Sequence, residues 1–224
     1  MKRCVIIFVS VLAVVVFGTQ VNAQTIDLIS QTYHIYGSVF GPPLPAPIVF
    51  DITSSVPPLS APPPPSQPST YWDIHSDGGT SGSSLFIDIA ASNQGFTYGS
   101  ASADLVFGTT GISYLELSYS FQGTWLPVEI CYASFTLSDE TTGVTLVSDT
   151  NPPFTNVNGG SADGSVEVPV IPSHIYELSA MGDTSVSGSA AVTVTLNAVP
   201  EPSAMLLLGF GLIGIAGVRR KFKK

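Results

Sequence analysis

Tyr114-Leu115-Glu116-Leu117-Ser118-Tyr119-Ser120-Phe121 decides the fold. Leu115, Leu117, Tyr119 and Phe121 fall on one side of an extended chain. Tyr114, Glu116, Ser118 and Ser120 fall on the other, which is the period of two that a half-buried strand requires. Further along, Cys131, Ala133, Phe135 and Leu137 alternate with Tyr132, Ser134 and Thr136. Asp139-Glu140-Thr141-Thr142-Gly143 then turns the chain into Val144 and Leu146, a hairpin signal. Val166, Val168 and Val170 alternate around Pro169, which has no N–H to give a ladder and so predicts an edge strand. Val192, Val194 and Leu196 alternate with Thr193 and Thr195 as an expected last strand. No stretch of this central region has helical period. Short strands between Gly, Ser, Asn and Asp turns predict an all-β body over residues 24–198, an antiparallel β-sandwich or jelly-roll-like fold.

A proline-rich segment, residues 41–68, interrupts the pattern and includes Pro62-Pro63-Pro64-Pro65. It reads either as a polyproline II ligand or as a stiff loop or spacer. The absence of flanking bases favours the spacer. Whether residues 25–40 pair with the later strands across it is left open.

The 224 residues carry 7 Lys+Arg against 16 Asp+Glu. Lys2 and Arg3 open the chain; Arg219, Arg220, Lys221, Lys223 and Lys224 close it, with no Lys or Arg between. All the acids lie inside that interval. A body without a cationic side chain cannot neutralise phosphates, which excludes nucleic acid as a partner. It also excludes a P-loop, whose lysine is missing.

The basic groups mark two addresses. Lys2 and Arg3, the apolar run from Cys4 to Gly18, and Val21-Asn22-Ala23 make a secretory signal peptide over residues 1–23. Signal peptidase would cut between Ala23 and Gln24. A permanent signal anchor is the alternative. Cys4 sits too early to accept lipid, and its removal leaves Cys131 as the mature chain's single cysteine, with no intramolecular disulfide possible.

At the other end, Val199-Pro200-Glu201-Pro202-Ser203 precedes the apolar run Ala204–Val218, expected to be a single transmembrane helix, and the basic tail 219–224. Fifteen helical residues span about 22 Å, short of the ~30 Å hydrocarbon core, a gap that thinning and snorkelling basic side chains can close. The tail stays in the cytoplasm by the positive-inside rule, leaving everything before Pro200 outside. Gly209-Phe210-Gly211-Leu212-Ile213-Gly214 satisfies G-x-G-x-x-G, but inside an apolar helix it reads as small residues for helix contact, not as a dinucleotide site.

Residues 199–224 closely resemble the PEP-CTERM sorting signal. The shared features are Pro200-Glu201-Pro202, a Leu/Gly-rich helix and an Arg-containing basic tail, in that order. That signal occurs in secreted proteins of Gram-negative bacteria that make extracellular polysaccharide. The resemblance implies recognition of Pro200, Glu201 and Pro202 by an exosortase, a membrane-embedded transpeptidase-like enzyme. It also implies an intermediate held transiently in the inner membrane, then a product at the cell surface or in a biofilm matrix. Physically, the two prolines hold Glu201 extended where the helix meets the surface, as a processing enzyme needs. A GPI signal would end in its hydrophobic tail; a plain tail anchor remains the alternative.

Candidate chemistry in the body is sparse. His34, His75 and His174 show no metal-binding spacing and read as surface or turn residues. No G-x-S-x-G elbow occurs. Cys131 shares a strand face with Phe135 and Leu137, as a structural thiol would. Asp73-Ile74-His75-Ser76-Asp77-Gly78 imitates the start of an EF-hand loop, with Ser84 where Glu is needed. Asn158 and Asp163 lie in a second Asn/Asp/Gly stretch. Asp73, Asp77, Asn158 and Asp163 are therefore candidate calcium ligands, with Asx-turns the competing explanation; no other cofactor is expected. Asp139 with Glu140, and Asp88 with Asp104, could in principle form a glycosidase pair, but nothing in the sequence places any two carboxylates across a cleft.

The sequence therefore predicts an exported protein, not an enzyme, with a structural or adhesive role in an envelope or polysaccharide matrix. A carbohydrate-binding module is the alternative, with Tyr71, Trp72, Trp125 and Tyr132 as stacking groups; a secreted hydrolase ranks third. Exposed aromatics gathered on one sheet face would favour the second reading.

Overall fold

The computed structural model describes residues 24–39, 48–61, 71–81, 83–125, 131–150 and 160–199. The expected signal peptide, the Pro200-Glu201-Pro202 motif, the expected helix 204–218, the basic tail and Asn158 lie outside the described residues.

Among the described residues ten strands form: β1 (Thr25–Val39), β2 (Ile48–Ser54), β3 (Leu59–Ser60), β4 (Tyr71–Ser81), β5 (Ser84–Thr110), β6 (Tyr114–Trp125), β7 (Cys131–Asp139), β8 (Val144–Thr150), β9 (Gly160–Pro169) and β10 (Ile175–Ala198). Every pairing is antiparallel.

Two long strands organise the rest. β5 has 27 residues and β10 has 24, and they pair along nearly their whole lengths. Their register runs from Ile175↔Gly108 to Val186↔Thr97, slips, and resumes from Gly188↔Asn93 to Asn197↔Ser84. The irregularity is a corner at which both strands pass from one sheet into the other. The first sheet has the order β2-β1-β5-β10-β7-β8, using Thr97–Thr110 of β5 and Ile175–Val186 of β10. The second has the order β3-β4-β5-β10-β6-β9, using their other halves.

The ends away from the corner meet again. Gly111, Ile112 and Ser113 suffice to carry the chain from β5 in the first sheet to β6 in the second. There Val170 N–H donates to Ser113 O (2.9 Å) and Ser173 N–H to Thr109 O (3.0 Å). The result is a sandwich closed at one end by the bend and at the other by these bonds.

The expected alternations fill the interior. Leu115, Leu117 and Phe121 of β6, Ala133, Phe135 and Leu137 of β7, and Val192, Val194 and Leu196 of β10 are buried. So are the inward residues of β5, from Leu85 to Ala91 and from Ala101 to Phe107. Tyr119 joins Phe121 and Phe135 in an aromatic cluster between the two sheets, with centroids 4.9–5.8 Å apart. Burying rings of this size stabilises by about 2–3 kcal/mol each. Ser76 on the inner side of β4 donates to Ser102 O of the facing sheet (2.8 Å), which satisfies its buried hydroxyl. The sheets approach closely at Gly78: a Cβ there would lie 3.3 Å from the Tyr33 hydroxyl and 3.4 Å from Leu105 Cδ1 of the facing sheet, and 2.8 Å from Phe86 O of its own.

The hairpin forms as expected. Asp139 Oδ1 accepts from the Thr141 and Thr142 amides (2.9 and 3.2 Å), and Gly143 takes φ +71°. β9, with Pro169, is an outer strand among the described residues. Two expectations change and one open question closes. The segment 41–68 is not wholly spacer, since Ile48–Ser54 has no proline and pairs with β1 as strand β2. Residues 25–39 do join the main sheet, beside β5. The expected last strand at 192–196 is the end of a strand that begins at Ile175.

Candidate functional site: a tyrosine face on the first sheet

The two outer faces differ in chemistry. Across the second sheet one register row reads Asp77, Asp88, Thr193, Ser120, Asp163, and the rows on either side are mainly Ser, Thr, Ala and Gly. The second sheet has Phe86 and the exposed Tyr114 singly on its outer face, whereas the first sheet groups its rings. Tyr36 of β1, Ser100 of β5, Asp183 of β10 and Tyr132 of β7 form one row, with Tyr98 one step toward the corner.

Asp183 is the hub. Only 7% of it is exposed, and the Tyr98 hydroxyl donates to its Oδ1 at 3.0 Å. The Tyr132 phenol also hydrogen-bonds to it. Tyr36 meets Tyr98 edge-on at 5.7 Å. Tyr98 remains 38% exposed. Burial and the bond to Asp183 push its phenol up to about 12. The same bond, aided by burial, pushes Tyr132 up to about 12. Both phenols thus stay protonated as donors, and the carboxylate fixes where the rings sit. Because Asp183 stands on the strand beside Tyr98, its hold keeps the Tyr98 ring along the sheet.

Next to the rings lies a groove of about 310 Å³, open to solvent and lined by Ser102, Asp104, Ser134, Phe135, Thr136, Ser179, Ala180 and Met181. Ser102, Met181 and Ser134 form the row beside Asp183; Asp104, Ser179 and Thr136 form the next. One outward position beyond Ser179 on β10 stands Glu177, whose carboxyl burial raises, helped by the charges of Asp104 and Glu140 and a hydrogen bond to Glu140. Aromatic rings followed by a floor of hydroxyls suit a ligand with both apolar faces and many hydroxyl groups.

The face has an orientation relative to the C-terminal segment. Val199 N–H donates to Tyr114 O (3.1 Å), so the chain leaves the sandwich at the end opposite the corner. Asp183 lies eight residues from Ile175 at that end, about 26 Å of strand.

The sequence candidates are scattered by comparison. Asp73 and Asp77 lie on strand β4 and not in a loop, about 13 Å apart along it. Asp163 is exposed on β9. Among the described residues, no three His, Cys, Asp or Glu side chains gather as metal ligands would. Asp88 and Asp104 sit on opposite outer faces, so they cannot flank one bond. Asp139 and Glu140 belong to the hairpin turn, where Glu140 accepts from Ser138 (2.8 Å). Each histidine stands beside an aspartate: His34 with Asp51 (2.7 Å), His75 with Asp73 (3.7 Å) and His174 with Asp139 (2.8 Å). Burial alone would push the Asp139 carboxyl up, but bonds from His174, Thr142 and Thr141 outweigh it and hold it low. Cys131 packs half-buried against the core.

Of the expected stacking groups, Tyr132 is on the face; the side chains of Tyr71, Trp72 and Trp125 lie outside the described residues. Tyr36, Tyr98 and Asp183 escaped the sequence reading. The available signal was the alternation Tyr98, Ser100, Ser102, Asp104 against Gly99, Ala101, Ala103, Leu105.

Several solved structures resemble this chain weakly. The carbohydrate-binding module TmCBM61, solved with beta-1,4-galactotriose, is 7% identical, covers 58% of this chain and 87% of its own, and has a TM-score of 0.35. The enzymatically active domain of bacteriophage CBA120 tailspike protein 4 is 15% identical over 58% of this chain and 19% of its own, at 0.29. The C-terminal CBM6 of LamC from Zobellia galactanivorans is 12% identical over 58% and 93%, at 0.23. Similarity at this level carries no argument about ligand or role. No curated protein matches the chain. One segment does have a family: residues 198–221 match the PEP-CTERM protein-sorting motif, and the chain carries that motif directly after its last strand.

Proposed function

We propose that this chain is an exosortase-sorted, exported protein that holds polysaccharide through the tyrosine face of its first sheet. Its role is adhesive or structural in the cell envelope or extracellular matrix, and its action on the glycan is binding, not catalysis. The sorting motif supports the route. The observation that carries the binding reading is Tyr98 and Tyr132 fastened to a nearly buried Asp183 on an outer sheet face. Fixed rings lose little freedom when a sugar ring covers them, and the adjoining hydroxyls supply directional bonds. The placement fits as well. Val199 leaves the sandwich at the end opposite the corner, so the tyrosines stand away from the C-terminal segment and its attachment does not cover them.

Two experiments test the two halves. In cells with the processing enzyme, the protein loses a C-terminal fragment beginning near Pro200; without it, the fragment stays. Identical mass in both strains refutes the sorting half. Retention of the full chain on matrix polysaccharide, weakened by Tyr98→Ala and Tyr132→Ala, supports the binding half, and equal retention of both variants refutes it.

A further inference from the structure

We infer that the tyrosine face takes an uncharged polysaccharide, an internal stretch of which lies along the groove from Tyr98 toward Asp104. This rests on the glycan-binding reading and narrows it to one chemical class of ligand.

Three observations carry it. First, the site is elongated and continuous. Tyr98, Ser100, Ser102 and Asp104 follow one another along the outer side of β5, about 20 Å of strand. Met181 and Ser179 of β10, and Ser134 and Thr136 of β7, line the same groove. A chain of several sugar rings fits such a track; a single terminal sugar would leave most of it in water.

Second, the charge on this face has one sign. Asp51, Asp104, Glu177 and Asp183 are carboxylates, and no Lys or Arg occurs between Arg3 and Arg219. The one group here able to become cationic is His34, already 2.7 Å from Asp51. A uronate or sulfated polymer would bring its charges against these carboxylates with no counter-charge from the protein.

Third, the carboxylate at the rings is not offered to a cation. Asp183 is 7% exposed and accepts from two phenols. An ammonium group on an amino sugar would have to displace them. Asp104 is the one charged residue of the groove lining; the others are Ser, Thr, Ala, Met and Phe.

The test uses the full chain in a detergent without sugar headgroups, with EDTA present, at low and at raised salt. The probes are a soluble β-glucan, a β-galactan, polygalacturonate and chitosan. The inference expects retention by a neutral glycan that raised salt does not reduce, because no ion pair is broken. Tyr98→Ala with Tyr132→Ala should weaken that retention by about tenfold or more. Ser134→Leu, an outer-face change that blocks the groove and leaves the core alone, should do the same, so the result does not depend on the tyrosine variant folding. Polygalacturonate held as tightly as the neutral glycans would overturn the inference and leave the tyrosine site standing. Chitosan held alone, and released by salt, would overturn it too. No retention by any probe would instead bring down the glycan-binding reading beneath it.

Discussion

Tyr98 and Asp183 stand 85 residues apart in sequence and meet across adjacent strands through a 3.0 Å phenol–carboxylate hydrogen bond. Burial and this bond push Tyr98 up to about 12, and Asp183 does the same for Tyr132. A raised phenol contributes stability that is fully present below its ordinary value near 10 and is lost as pH rises through the folded value. The protein should therefore lose stability between about pH 10 and 12. In an ultraviolet titration, Asp183→Asn should bring both phenols back toward the ordinary range. Tyr98→Phe should cost about 1 kcal/mol in urea unfolding at neutral pH. Unchanged phenol titration in Asp183→Asn would contradict the hub role of this carboxylate.

Glu177 is an acid that the fold holds toward its protonated form. Its carboxyl is raised above 4.5 by burial and by the charges of Asp104 and Glu140. Its contribution to stability is thus present below the ordinary value and is lost as pH rises through the folded one. At neutral pH the ionised group works against the fold. Glu177→Gln should raise stability slightly at pH 7, by up to about 0.5 kcal/mol, with no gain in acid. A loss at pH 7 would mean that the Glu177–Glu140 contact is stabilising.

Asp139 has the opposite sign. Held low by His174, Thr142 and Thr141 in spite of burial, it contributes stability that is present above the ordinary carboxylate value. That stability disappears as pH falls through the folded one. Asp139→Ala should lower the urea midpoint at pH 7 and flatten its acid dependence. Asp139→Asn, which keeps an oxygen for the Thr141 and Thr142 amides, should recover part of the midpoint and none of the pH dependence.

Removal of both ends leaves a body without lysine or arginine, since every base lies at or before Arg3 or at or after Arg219. The sixteen acids less Glu201 would give it a charge near -15, apart from its termini and histidines. Trypsin should leave the processed protein as one intact species even when it is fully unfolded. A true tryptic cut inside the secreted form would contradict the assignment of the basic groups to the export route.

How far the sequence foretold this depends on which residues are considered. The strands around Leu115–Phe121, Cys131–Leu137 and Val192–Leu196 were legible because each buries one face and exposes the other. The corner was not. Nothing local in β5 or β10 says that residues before and after it belong to different sheets, because inward residues keep the same parity on both sides, as Ile89 and Ala101 do. β2 was hidden by its setting, a proline-free heptapeptide among prolines whose partner β1 had itself no assigned place. The tyrosine face fared worst. Tyr36, Tyr98, Tyr132 and Asp183 come from four strands, and only the registers of β5 with β1 and of β10 with β5 and β7 bring them together.

The most direct test of the central claim is an amide chemical-shift map of the processed protein titrated with a neutral glycan that it retains. Shifts should concentrate at Tyr98–Asp104, Ser179–Asp183 and Tyr132–Thr136, with the opposite face at Asp88, Thr193 and Ser120 unmoved. Shifts centred on that opposite face, or spread without preference over both, would contradict it.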